Sequence, residues 1–515
     1  MLAVALIVVA VVAVYLYGTR TFKYWEKKGI KHDKPFPFFG NNWPMYSRMK
    51  SMTEVATELY WKYPKEKIVG FYRANQPELL IRDPELVKKI LVTDFGYFNL
   101  RGLNTHKTVL EPILSNLFFA DGDVWKLLRQ RMTPAFTSGK LKAMFPLIIE
   151  KAERLQNNAI NVPPTGGVLD ARDILARYTT DFIGAVGFGL DSDSLSEEDS
   201  AFRKLGVEIF KFDVSQLITQ MLKEMFPETF KHLKIIKKIE NDVFALVRSI
   251  LQKRGYKPSG RNDFIDLLIE CKNKGNMVGE SIELTNADGT PKEVSIELSE
   301  ALMVAQVFVF FAAGFETSAS STSYTLHELA YHPEEQLKVQ EEIDRVLSKY
   351  DNKLCYDAIY EMSYLRCAFK ESIRMFPSLG HLVRKCARKY KFPNMDLTID
   401  EGVSILIPVQ AMHKDPQFFE DPDKYRPERF LTDFINPMTK HIYLPFGEGP
   451  RACIGERLGL MQSLAGLAAV LSRYSVEPAP ETLRHPKVDP TSNIVQSIVG
   501  GIPLLFRPRS QYHKN

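Results

Sequence analysis

The 515-residue chain lacks the cysteine spacing of a disulfide framework or a zinc site. Its five cysteines, Cys271, Cys355, Cys367, Cys386 and Cys453, are odd in number, widely spaced and form no CxxC pair. That pattern argues for a reducing compartment and for any functional cysteine acting alone. A strong charge excess is also missing: 67 Lys and Arg against 62 Asp and Glu leave a formal net charge of +5. No basic stripe interleaved with aromatics appears, so nucleic acid is not expected as a partner. There is no G-x-G-x-x-G after a strand, so no nicotinamide or flavin site is expected within the chain. Repeats and low-complexity tracts are absent too. Nothing therefore divides a chain whose length alone suggests about three domains.

What is present begins with an apolar run, Leu2 to Tyr17, that carries no charge. At about 1.5 Å per residue it is slightly short for a bilayer of roughly 30 Å, and Gly18 and Thr19 extend it. Phe22, Tyr24 and Trp25 are expected at the interface. Arg20, Lys23, Lys27, Lys28 and Lys31 follow, so the positive flank is C-terminal and the rest of the chain is expected in the cytosol. A cleaved signal peptide is the alternative, but no basic region precedes the run. "KPFPFFG", Lys34 to Gly40, reads as a stiff linker. The expected organisation is an anchor over 1–20, a basic and Pro-rich linker over 21–40, and a single catalytic domain over 41–515.

The body reads as mainly α with a minor β portion. "ELLIRD", Glu78 to Asp83, is a strand, and "PELVKKILV" is a helix with Pro in its first turn. "GDVWKLLRQRM" is a charged amphipathic helix. Residues 140 to 272 carry helical periodicity. Within them, Ser215 to Lys238 suits either a membrane surface or an ordinary surface helix pair. Lys272 to Lys292, rich in Gly and Asn, reads as an exposed loop. Ser299 is the N-cap of a helix reaching Tyr331, roughly 50 Å long and apolar on most sides, hence central.

"FGEGPRACIGERLG", residues 446 to 459, sets one cysteine among glycines at the start of a helix. A metal-binding cysteine must be a thiolate. Glycines 447, 449 and 455 allow close backbone approach and positive φ. Arg451 supplies positive charge, and the following helix points its N-terminus at the sulfur. The spacing F-x-x-G-x-R-x-C-x-G, at Phe446, Gly449, Arg451, Cys453 and Gly455, resembles the haem-binding loop of the cytochrome P450 superfamily. So do A-G-x-E-T at Ala313, Gly314, Glu316 and Thr317, E-x-x-R at Glu371 and Arg374, "PERF" at Pro427 to Phe430, and W-x-x-x-R at Trp125 and Arg129. The features follow the family's order from the N-terminal anchor almost to the end of the chain.

The resemblance implies the cytochrome P450 fold and a haem-thiolate monooxygenase. Cys453 is then the axial metal ligand of a haem b iron, where a thiolate favours O–O cleavage, and Phe446 packs beside the sulfur. Trp125, Arg129, Arg384 and Arg451 are the implied propionate partners, with Arg101 a further candidate. Ala313, Gly314, Glu316 and Thr317 are the implied catalytic set. The gap over Gly314 admits dioxygen, Thr317 organises a proton relay, and Glu316 helps supply protons. Glu371, Arg374 and Arg429 form a structural network.

Substrate-facing stretches by resemblance are 101–120, 205–240, 305–317, 378–383 and 494–500. They place Phe118, Phe119, Phe308, Phe311, Leu382, Ile498 and Val499 around an apolar pocket. The expected substrate is a lipophilic small molecule, either a xenobiotic such as a plant toxin or insecticide, or an endogenous lipid or hormone. The loop and "RQRMTPAFTSGKLKAMFP" look most like insect microsomal members of the detoxification type, in the endoplasmic reticulum membrane. Expected partners are NADPH–cytochrome P450 reductase and cytochrome b5. Lys126, Arg131, Lys140, Lys142 and Arg457 are candidates for a basic docking face.

Overall fold

A computed structural model describes residues 1–190, 194–195, 201–261, 263–431, 439–492 and 494–509. Among these residues helices dominate, with four small sheets. Ser299 caps the central helix Glu300–Tyr331 by accepting the Leu302 N–H at 3.3 Å. It stops before His332 because Pro333 starts the next helix. Its apolar character on most faces is satisfied by burial in the main core cluster.

The expected strand at Glu78 appears as Gln76–Ile81, paired antiparallel with Ile68–Arg73 and parallel with Ser404–Ile407. Leu382–Lys385 closes this sheet, pairing antiparallel with Ser404–Ile407. The sheet builds a second core cluster with Trp25. That residue corrects an expectation: Trp25 is fully buried, and its indole N–H donates to the Phe71 carbonyl at 3.0 Å. The 21–40 stretch is likewise folded onto the sheet, with bridges His32 to Gly70 and Gly40 to Arg73.

The helix Gly122–Met132 forms as expected. The 140–272 region holds the helices Ser138–Arg154, Ala171–Ile183, Ala201–Phe210, Val214–Met225, Lys237–Lys253 and Phe264–Asn273. Positions 191–193, 196–200 and 262 lie outside the described residues.

The expected loop at 272–292 is instead largely a hairpin, Met277–Thr285 with Pro291–Ile296. Asn286 to Thr290 makes its turn, closed by the Asn286 N–H on Thr290 O at 2.8 Å. The hairpin forms because one face has a partner. Asp123, in the Gly122–Met132 helix, accepts from the Ser281 hydroxyl and the Ile282 N–H, both at 2.7 Å.

The N-terminal helix Leu2–Thr19 is exposed until Gly18, which is long and apolar enough to span a membrane. Where it meets the body, Tyr17 stacks on Phe226 at 5.2 Å and its hydroxyl donates to Met225 O at 3.2 Å.

Candidate active site

The cysteine loop is tied shut by its backbone. The Cys453 N–H donates to Phe446 O at 2.9 Å, and Gly447 N–H to Leu444 O at 3.0 Å. Gly447 and Gly449 adopt φ of +70° and +74°. A Cβ on Gly449 would lie 1.9 Å from the Leu91 carbonyl oxygen, so only glycine fits there. Gly455 differs from expectation: it caps the helix Glu456–Arg473 with φ −92°, and among the described residues nothing beyond its own chain neighbours lies within 4 Å of an added Cβ.

Cys453 is exposed, yet protein surrounds it closely enough for burial to be the main influence on its thiol. Burial pushes the thiol pKa up. The Gly455 N–H opposes this, Glu456 adds to it, and the Arg129 and Arg101 cations oppose it. Arg451 plays a different part from the one expected. Its three nitrogens donate to Asn99 O at 2.7 Å, Ala120 O at 3.0 Å and Asp121 Oδ1 at 2.8 Å. Its guanidinium also lies 4.1 Å over the Trp125 ring.

Three guanidinium groups, Arg101, Arg384 and Arg451, gather beside the loop around the Asp121 carboxylate, with Arg129 next to Arg101 and Cys453. Burial pulls Arg451 down to about 9 and Arg101 to about 10, against the pull of Asp121. Burial, then Arg101 and Arg451, pull Arg384 well below its ordinary value. The Arg384 Nε is buried with no partner among the described residues. Arg129 Nη1 donates to Ala452 O at 2.9 Å and Arg101 Nη2 to Arg451 O at 3.2 Å, so both hold the loop's carbonyls. Trp125 is buried against Phe95, ring centroids 5.6 Å apart. A cationic cluster with an unspent donor suits a flat ligand bearing two carboxylates, and so fits haem.

Across the interior lies the second motif. Ala313 is exposed in the middle of the central helix, between buried Phe311 and Phe315. The helix after the cysteine approaches here: a Cβ on Gly459 would stand 3.9 Å from Ser318 Oγ. The Thr317 hydroxyl donates to Ala313 O at 2.5 Å, the back-bond expected from sequence. The gap over Gly314 needs correction. A Cβ there would lie 2.4 Å from Ile183 Cδ1, so this glycine lets the helix Ala171–Ile183 cross closely. The opening is at Ala313 instead. Glu316 is buried in an ion pair with Arg172. Burial raises its pKa, and Arg172 and Arg203 oppose that rise.

Some expected pocket residues line core instead. Phe311 packs on Phe188 and Phe202, centroids 5.5 and 4.7 Å away, and Ile498 is buried in the main core. Phe308 is buried too, while Phe118, Phe119 and Leu382 are partly open and Val499 is exposed. In the docking set, Arg131 is spent on the Asn276 carbonyl at 2.6 Å and Arg457 donates to Ser138 Oγ at 3.0 Å. Lys140 and Lys142 are loosely paired at 3.9 and 3.7 Å.

The Glu371 carboxylate takes both Arg374 bonds, at 2.8 and 2.9 Å, and Arg429 Nε at 3.3 Å. Sequence reasoning missed His413, which accepts the Leu444 N–H at 2.9 Å and contacts Arg374 O at 3.1 Å. It joins the Glu371 network to the start of the cysteine loop. Asp121 and Arg172 were missed as well. Both meet their partners across hundreds of residues or well over a hundred, beyond any local pattern.

The whole chain has clear relatives. The family described as Cytochrome P450 matches residues 31–502. The chain is 37% identical over 506 residues to "Cytochrome P450 6B2" of Helicoverpa armigera, covering 98% of each protein. It is 36% identical over 520 residues to "Cytochrome P450 6a2" of Drosophila melanogaster, covering 97% of this chain and 98% of that protein. It is 34% identical over 512 residues to "Cytochrome P450 6k1" of Blattella germanica, covering 98% and 96%. With a cysteine loop, a cationic cradle and a matched family over nearly its full length, the chain belongs to the cytochrome P450 family and is a P450 monooxygenase.

Proposed function

We propose that this monooxygenase inserts one atom of dioxygen into a lipophilic small molecule, a xenobiotic or an endogenous lipid, and reduces the other atom to water. The observation that carries the reading is Cys453, an exposed thiol at a helix start flanked by Arg129 and Arg101. Haem b bound at this cysteine supplies the iron chemistry that activates oxygen. The chain's own residues do the rest. Arg384, Arg129 and Trp125 bind the propionates, while Arg451 braces the cradle through Asp121. Phe446 supports the loop through its carbonyl bond to Cys453. The Thr317 hydroxyl, beside Ala313 and Gly314, holds a proton at Oγ1. Glu316 is the proton reservoir behind it, held by its ion pair with Arg172. Phe118, Phe119 and Leu382 give the pocket its lipophilic wall.

Electrons come from NADPH–cytochrome P450 reductase, with cytochrome b5 as a second donor, through a face centred on Lys126, Lys140 and Lys142. The protein sits in the endoplasmic reticulum membrane with its body cytosolic, as the basic residues after Thr19 favour. The Val214–Met225 helix, which keeps Val214 and Ile218 exposed, rests on that membrane where Phe226 meets the anchor.

The test is the spectrum of the dithionite-reduced protein under carbon monoxide. A strongly red-shifted Soret band is expected and Cys453→Ala should abolish it together with turnover. A band at the position typical of histidine-ligated haem would overturn the assignment of Cys453.

A further inference from the structure

The hairpin Met277–Thr285 with Pro291–Ile296 has no role in the reading above, yet its first strand grips the helix Gly122–Met132 from end to end. At the helix start, Asp123 Oδ2 accepts the Ser281 hydroxyl and Oδ1 accepts the Ile282 N–H, both at 2.7 Å. The Asp123 N–H, which has no acceptor within the helix, donates to Glu283 Oε2 at 3.4 Å. In the middle, a Cβ on Gly279 would stand 2.9 Å from Leu127 Cδ2 and 3.2 Å from Gln130 Oε1. At the helix end, Arg131 Nη2 donates to Asn276 O at 2.6 Å and to Gly275 O at 3.3 Å. The strand therefore runs antiparallel to the helix along its whole length. Asp123 and Ser281 are 9% and 5% exposed, so their bond is shut off from water.

At about 3.6 residues per turn, Asp123, Leu127, Gln130 and Arg131 share one face of this helix, and Trp125 and Arg129 project from the opposite one. That second face meets the cysteine loop. Arg129 Nη1 donates to Ala452 O at 2.9 Å, and the Arg451 guanidinium lies 4.1 Å over the Trp125 ring. A rigid helix gripped on one face has the tilt and rotation of its other face fixed. We propose that the hairpin is a splint for the haem site, and that Asp123 is a positioning residue: its buried bond to Ser281 sets where Trp125 and Arg129 meet the propionates. The inference rests on the propionate reading under Proposed function. Ligand-holding groups need support from a locked shell behind them, and here the shell comes from a segment more than a hundred residues away in the chain.

The experiment follows transfer of haem from the full-length, haem-loaded protein to excess apomyoglobin, at a temperature where every variant is folded. Asp123→Ala should speed transfer by about tenfold. Asp123→Asn still accepts the Ile282 N–H and can offer its amide to Ser281 Oγ, so it should stay near the wild-type rate. Ser281→Ala removes the same bond from the hairpin side and serves if Asp123→Ala does not fold. The two changes together should be no faster than Asp123→Ala alone, because both delete one bond. Ser51→Ala strips the cap from the helix Met52–Lys62 and leaves the splint untouched, so it should lower Tm without speeding transfer. Wild-type transfer rates in Asp123→Ala and Ser281→Ala overturn the proposal. So does an additive effect of the two, or an equal acceleration in Ser51→Ala. Arg129→Ala separates the splint from the reading beneath it. If it alone speeds transfer, the propionate reading stands and the splint falls. If Arg129→Ala releases haem at the wild-type rate, the propionate reading falls and takes the splint with it.

Discussion

Two histidines with lowered pKa bias the fold against acid. Burial, with Arg374 adding to it, holds His413 down to about 3, and His381 is held to about 4. In the unfolded chain both take a proton near 6.5. Between these values the unfolded state binds more protons, so stability falls as pH drops from about 6.5 and is insensitive to both groups above it. Urea midpoints should be flat from pH 7 to 8 and fall steadily towards pH 4, with a shallower fall in His413→Gln. An equal slope in that variant would remove His413 from the account. Arg374 lies in the same buried network, where deleting one charge strands Glu371. Arg374→Ala should cost about 3–5 kcal/mol, seen as loss of folded protein or a large drop in Tm. At the active centre, Thr317→Ala removes the hydroxyl bonded to Ala313 O. It should waste NADPH as peroxide at a raised ratio to product, and unchanged coupling would reduce Thr317 to a bend in the helix. The local motifs were legible in sequence because their chemistry is carried by neighbours along the chain. Arg172 and Asp121 were not, because a carboxylate or guanidinium finds its buried partner only through folding.

Among the elements, the crossing of the central helix with Ala171–Ile183 is the most exacting. The Gly314 position is filled by the Ile183 side chain. Gly314→Ala should therefore overpack the crossing and lower stability by about 1–3 kcal/mol. Adding Ile183→Ala should recover part of the loss in thermal unfolding, and if it recovers none the crossing is not the cause. The central helix was legible from its Ser cap, its apolar faces and its terminal proline. The 277–296 hairpin was not, because the same Asn and Gly that mark loops also make hairpin turns. Its polar strands are stabilised by a buried aspartate on another helix, which local composition does not reveal.

For the molecule as a whole, the N-terminal helix and the body meet at a small contact: Gly18 against Phe38, and Tyr17 on Phe226. Removing residues 2–19 should leave the folded body and its carbon monoxide spectrum intact while releasing the protein from membranes on carbonate extraction. Retention of the truncated chain in the pellet would assign membrane binding to the body. The family was readable from end to end in the sequence. The boundary of the body was not, because Trp25 looks like an interfacial residue by composition and becomes core only when the sheet forms around it.

The two outer glycines of the cysteine motif have unequal standing in any search of sequence space. Position 449 is closed on one side by the Leu91 carbonyl, and its backbone is left-handed, so every other letter there is a dead end. Position 455 has ordinary φ and open protein surroundings. In a library randomised across 446–455 and selected for folded protein, survivors should be uniform at 449. The signature that announces this family would then be seen to mix one glycine that the protein's own backbone makes obligatory with one that only the haem beside Cys453 can constrain.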